Sequence, residues 1–254
     1  MRIEIDYMPL VPAFLNGKGP YTFAVDTGYN GPNVSPKVAD ELGLKKNEDE
    51  CVVLETFAVD ELLFQNFEIY VSDRPKLWNL LREEIAGIIG MGFLKYFEVT
   101  IDYPESSMSL VPMMDLVGKP PNVQPNFSYV RIKYPNRYIV VPVHINETGP
   151  YDFVLDTGAK TTVVSEEIAG KLNLIKGDQR IAYGAVDDKA CWDSVVEDLR
   201  IGKRSVDDLR VIVMDTHYLS KYADCEIGGN IGYNFLRRFS LTMNVLDLYV
   251  GLSG

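Results

Sequence analysis

Gly19-Pro20-Tyr21-Thr22-Phe23-Ala24-Val25-Asp26-Thr27-Gly28 returns later in the chain as Gly149-Pro150-Tyr151-Asp152-Phe153-Val154-Leu155-Asp156-Thr157-Gly158. Seven of the ten positions are identical, and every one is displaced by 130 residues. In both copies an apolar, strand-forming run ends in a carboxylate followed by a residue pair suited to a tight turn. A duplicated unit of this kind predicts two lobes related by a pseudo-two-fold axis, with Asp26 and Asp156 meeting across it. Paired carboxylates in such a place can activate a water molecule.

The repeat extends outward in both directions. Upstream, Val11-Pro12-Ala13-Phe14-Leu15-Asn16 matches Val141-Pro142-Val143-His144-Ile145-Asn146 at the same displacement, each reading as a short strand leading into a turn. Downstream, Val34-Ser35-Pro36-Lys37-Val38-Ala39 matches Val164-Ser165-Glu166-Glu167-Ile168-Ala169. There the apolar spacing becomes helical, with Ser35 and Ser165 as N-caps. A closing block, Gly87-Ile88-Ile89-Gly90-Met91-Gly92-Phe93-Leu94, pairs with Gly229-Asn230-Ile231-Gly232-Tyr233-Asn234-Phe235-Leu236 at a displacement of 142. The second copy therefore carries 12 additional residues between its blocks.

These features predict a mainly β fold of two pseudo-symmetric closed β-barrel lobes, each with one or two short helices. The lobes are expected at residues 1–111 and 128–254, joined by a linker over 112–127 that contains Pro112, Pro120, Pro121 and Pro125. Strands are expected at Cys51–Phe57, Phe67–Ser72, Ile181–Tyr183, Ser194–Ile201 and Arg210–Met214, and a helix at Leu77–Glu84 in the first lobe only.

Composition narrows the function classes. The 254 residues carry a formal net charge of −11, which argues against nucleic acid or an anionic membrane surface as the main partner. Cys51, Cys191 and Cys225 are an odd number with no Cys-x-x-Cys pair, the pattern of a reducing compartment. His144 and His217 are the only histidines, too few and too far apart to read as a metal site, and no cofactor is expected. Acids near Met1 and the lack of a long apolar run give an expected cytoplasmic location.

Asp-Thr-Gly after an apolar strand, then Ser-x-x-x-Ala-x-x-Leu-x-Leu, then Gly-Ile-Ile-Gly before a short helix, resembles the retropepsin-like aspartic peptidases. The chain is most similar to bacterial single-chain members carrying two tandem lobes, and the resemblance covers nearly all of it outside the linker. It implies an acid-protease-like bilobal fold and an endopeptidase. Asp26 and Asp156 match the catalytic aspartates, and Thr27 and Thr157 match the threonines that interlock the two loops. Gly28 and Gly158 match the turn glycines, and Ala159 the small residue that follows. Gly90, Gly232, Ile89 and Ile231 match the segment packed behind each loop.

No metal or covalent intermediate is required of such a dyad. Tyr183 and Gly184 fall where a substrate-covering flap belongs in the second lobe, and an ordinary surface hairpin reads equally well there. The first lobe, shorter by 12 residues, offers only Glu50–Asp60 in that place. Tyr29 departs from the family, which carries a small residue after Asp-Thr-Gly. It has three readings: solvent-facing, part of a pocket, or crowding the dyad. The alternative function is a peptide- or protein-binding module on the same fold. Intramolecular pairing of the lobes in a monomer is the simpler arrangement, and a domain-exchanged dimer the alternative.

Overall fold

The computed structural model describes residues 1–48, 51–72, 75–81, 84–117, 125–183 and 188–254. The first half supplies β1 (Glu4–Ile5), β2 (Pro9–Leu15), β3 (Lys18–Val25), β4 (Asn33–Val34), α1 (Pro36–Glu41), β5 (Cys51–Val59) and β6 (Leu62–Val71). It continues with α2 (Pro75–Leu80), β7 (Ile85–Ile89), α3 (Met91–Leu94), β8 (Phe97–Asp102), β9 (Ser107–Pro112) and α4 (Met113–Leu116). The second half runs β10 (Ser128–Arg131), β11 (Val140–Ile145), β12 (Thr148–Leu155), β13 (Val163–Ser165), α5 (Glu166–Lys171), β14 (Gln179–Ala182) and β15 (Lys189–Ile201). It ends with β16 (Arg204–Met214), α6 (His217–Ala223), β17 (Gly229–Ile231), α7 (Tyr233–Leu236), β18 (Ser240–Asn244) and β19 (Tyr249–Ser253).

Each half closes into a six-stranded barrel. In the first the order is β2-β3-β7-β4-β6-β5, with β5 pairing back onto β2; in the second it is β11-β12-β17-β13-β16-β15, with β15 back on β11. Even the register repeats: Val11 faces Phe23 in one hairpin and Val141 faces Phe153 in the other. Closure leaves few free edges, which suits an all-β chain of short strands. Alternation follows the pleat, so that in β2 Leu10, Val11, Ala13 and Leu15 are buried while Pro12 and Phe14 are exposed. The two serine caps form as the sequence indicates: Ser35 Oγ accepts from Val38 N, and Ser165 Oγ from Ile168 N. The first-lobe helix differs in position, running from Pro75 to Leu80 rather than from Leu77 to Glu84. Pro75 opens it because a proline at the first helical position sacrifices no intrahelical donor.

A third sheet joins the halves, in the order β10-β19-β18-β8-β9. At its middle β8 and β18 run antiparallel, with Thr100 opposite Thr242 and their hydroxyls 2.9 Å apart. These threonines are equivalent by the 142-residue displacement, so the pseudo-two-fold axis passes between them. One hydrophobic core runs through both barrels, from Phe23, Phe57 and Phe93 in the first to Phe153, Val213 and Phe235 in the second. Across this sheet, buried Glu98 of β8 accepts hydrogen bonds from Asn244 Nδ2 (3.1 Å) and from the Tyr249 hydroxyl.

Candidate active site

Each Asp-Thr-Gly loop lies where the second strand of its barrel (β3 or β12) ends, beside the parallel partner β7 or β17. Asp26 N donates to Ile89 O and Asp156 N to Ile231 O, both at 3.0 Å, so the Gly-x-Ile-Gly block of each lobe holds its aspartate from behind. The following carbonyls are held too: Tyr29 O accepts from Met91 N and Ala159 O from Tyr233 N.

The loops then interlock. Thr27 N donates to Thr157 Oγ1 and Thr157 N to Thr27 Oγ1, each at 3.0 Å. The hydroxyls in turn donate to backbone of the opposite lobe, Thr27 Oγ1 to Leu155 O at 2.6 Å and Thr157 Oγ1 to Val25 O at 2.8 Å. Both threonines are 1% exposed, so the four polar bonds are buried and satisfy one another. Leaving one such group unpaired costs about 1–3 kcal/mol, which makes the arrangement stiff.

This grip brings Asp26 and Asp156 within hydrogen-bonding reach of one another. Gly28 N donates to Asp26 Oδ1 at 2.8 Å and Gly158 N to Asp156 Oδ1 at 3.0 Å, fixing both carboxylates in the plane of their loops. Glycine is required at both turns because the aspartate of the other lobe is packed against it. A Cβ on Gly158 would lie 2.4 Å from Asp26 Cγ, and one on Gly28 would lie 2.7 Å from Asp156 Oδ1. Burial raises both carboxyl groups above the ordinary carboxylate value, and the charge of Asp156 raises Asp26 further. Amide donors pull the other way, Gly28 and then Gly158 N–H for Asp26, Gly158 and Ala159 N–H for Asp156. Burial and mutual repulsion prevail, and the pair holds a proton that an isolated aspartate would have lost.

Tyr29 is held by its own loop. Its hydroxyl accepts from Asn33 Nδ2 at 2.6 Å, and its ring edge lies against Gly31, so the side chain folds back on its own loop. Ala159 stands at the corresponding place in the second lobe. That lobe ties its loop instead through Asn234, whose Oδ1 accepts from Thr162 N at 2.8 Å and Thr162 Oγ1 at 2.9 Å.

The 12 additional residues form a hairpin. Gly177 N donates to Asp193 O at 2.7 Å, and at the same place in the first lobe Asn47 N donates to Cys51 O at 2.8 Å. Between these bonds the first lobe has three residues, 48–50, and the second has fifteen, 178–192. The extra length builds β14 against the start of β15, with Ala182 opposite Lys189. Tyr183 stands at the end of β14 and is 71% exposed, while Gly184 lies outside the described residues. Trp78 donates from Nε1 to Ser72 O at 2.7 Å, and Trp192 packs against the core, so both indoles have structural places.

Tyr7, Tyr138 and Tyr218, like buried Tyr103, feel the charge of the aspartate pair and have no motif to betray them. Burial raises the phenols of Tyr7 and Tyr138, and both also feel the charge of Asp26; Tyr138 feels Asp156 as well. Tyr218 of α6 is pushed up to about 12, by burial first and then by Asp156. All three stay protonated donors at ordinary pH. Tyr218 and Ala182 of the hairpin pack against the same buried cluster of Val163, Cys191 and Met214. Among the described residues no cluster of three or more His, Cys, Asp or Glu is arranged to hold a metal ion.

Residues 141–235 match the family model described as aspartyl protease. Among solved structures the chain is similar to the retropepsin-like aspartic protease from Rickettsia conorii, at 19% identity over 50% of this chain and 90% of that one, with a TM-score of 0.37. It is also similar to the aspartic proteinase from Irpex lacteus, at 12% identity over 98% of this chain and 94% of that one, with a TM-score of 0.55. That second likeness spans both barrels and is one of fold. No curated protein matches the chain. The segment matched by the aspartyl protease model lies in the second half of the chain, and the two-barrel fold is the one shared with the aspartic proteinase from Irpex lacteus.

Proposed function

We propose that the chain is an aspartic-type endopeptidase in which Asp26 and Asp156 share one proton and activate a water molecule. The observation that carries this reading is the reciprocal threonine grip. It spends four buried hydrogen bonds on holding two carboxylates together, an arrangement that a surface turn has no use for. The ionised carboxylate takes a proton from the water as its oxygen attacks the peptide carbonyl carbon, and the protonated partner donates to the carbonyl oxygen. The dyad then gives its proton to the amide nitrogen, and as the C–N bond breaks a hydroxyl of the gem-diol returns its proton, leaving the dyad with one proton as at the start. Thr27, Gly28, Thr157, Gly158 and Ala159 position the carboxylates, and Tyr183 with Gly184 belongs to a cover over bound peptide. Lobes at 1–111 and 128–254, with a Pro-rich connection at 112–127, paired within one chain, complete the reading.

The lopsided cover, a hairpin on one lobe only, favours a second reading: a cleft that holds a peptide without cutting it. Cleavage of a diverse peptide library between about pH 3 and pH 8 separates the two. We expect cleavage by the intact protein and a loss of about a hundredfold or more in Asp26→Asn and in Asp156→Asn, both still folded. Cleavage that persists in both variants overturns the dyad, and its absence from the intact protein favours the second reading.

A further inference from the structure

We propose that the cleft selects peptides bearing a carboxylate side chain on one side of the scissile bond, and that Lys160 with Tyr7 receives it. This rests on the peptidase reading of the same site. Lys160 lies four residues after Asp156 on the same loop, and its ammonium stands 5.9 Å from the centroid of the Tyr7 ring. Tyr7 lies in the bend between β1 and β2, and its phenol is raised by burial first, then by the charges of Asp6 and Asp26, while Lys160 comes to its ring from the loop of Asp156. Lys160 is exposed and has no carboxylate partner among the described residues, and the Tyr7 hydroxyl makes no hydrogen bond among them. A carboxylate arriving there finds a cation and a neutral O–H donor, neither one engaged elsewhere.

The opposite flank is built alike but is already occupied. The Lys189 ammonium stands 4.8 Å from the centroid of the Tyr218 ring, and Tyr218 feels Asp156. There, however, Asp215 lies 3.8 Å from the Lys189 ammonium and answers its charge. The pseudo-two-fold equivalent of Lys160 is Asn30, and that of Tyr7 is Arg137. The unanswered cation is thus local to one flank. It is set in a chain of net charge −11, whose general field repels anions, so that a bound carboxylate depends on this lysine.

The test uses labelled apolar decapeptides carrying Glu or Gln at each position in turn, titrated by fluorescence anisotropy against Asp26→Asn protein. At low salt we expect Glu to bind about three- to tenfold tighter than Gln at one position. Lys160→Glu should reverse that ratio, and about 0.5 M salt should flatten it. Equal binding of Glu and Gln peptides at every position, a ratio untouched by Lys160→Glu, or no binding at all overturns the proposal. Cleavage by the intact protein is scored separately. A Glu preference in binding without cleavage sinks the peptidase reading alone, and cleavage indifferent to Glu sinks the present inference alone.

Discussion

Asp26 and Asp156 are costly residues for the fold that holds them. Their folded-state carboxyl groups titrate above the ordinary value, so ionising the pair is harder in the native protein than in the unfolded chain. The sign follows directly: the contribution to stability is whole below the unfolded carboxylate value and is lost as pH rises through the folded one. Asp26→Asn removes the burden, since an amide carries no charge to desolvate. At pH 8 we expect Asp26→Asn to be more stable than the parent by on the order of 1–3 kcal/mol, and the gap to close towards pH 4. Urea titrations at the two values measure it, and an equal gap at both would mean that the carboxylates are not strained. At this scale the dyad was legible in the sequence because a motif of three residues appeared twice in register. Tyr7, Tyr138 and Tyr218 were not legible, because they come from three separate segments and only folding brings them to one place. Tyr29 had three readings, and the hydrogen bond from Asn33 holds it on its own loop, a place that none of the three named.

The hairpin is an addition to a barrel that closes without it. The first lobe makes the same closure from Asn47 to Cys51 with three intervening residues, so the fifteen at 178–192 serve something other than closure. Replacing 178–192 by residues 48–50 should leave a folded protein, destabilised by no more than about 3 kcal/mol through the loss of Cys191 and Trp192 packing. Peptide turnover should fall at least about tenfold, as expected when a lid that orders substrate is removed. Calorimetry and cleavage assays on one preparation check both halves, and undiminished turnover would strip the hairpin of its role as a cover. The presence and lobe of this element were legible from a difference of displacement, 142 against 130. Helix α2 was misplaced by two residues at its start, because the sequence signal at Pro75 competes with an apolar run that begins at Leu77.

At the scale of the molecule the two barrels are not independent bodies. Strands β8 and β9 share a sheet with β10, β18 and β19, one core crosses between the barrels, and Glu98 of β8 is bonded to Asn244 and Tyr249. Unfolding should therefore be one cooperative transition. Trp78 lies in the first half and Trp192 in the second, so Trp78→Phe and Trp192→Phe proteins each report one half by fluorescence. We expect the two urea midpoints, each referred to its own variant's circular dichroism, to coincide; separated midpoints would mean that the halves melt singly. The shared sheet was not legible beforehand. Its strands lay inside recognised repeats, but nothing in a single sequence says that β8 would pair with its own counterpart β18 rather than with a neighbour.

The single hairpin has a consequence for how such a protein can change. When two identical subunits form a site, every alteration in the gene is written on both sides of the axis, and a long cover on one side means a long cover on the other. A tandem chain frees each copy from the other's history. Here one half has a three-residue connection and the other has fifteen, so the two approaches to the same pair of acids can differ. On the peptidase reading, a peptide lying in one direction would meet a different surface from one lying in the other.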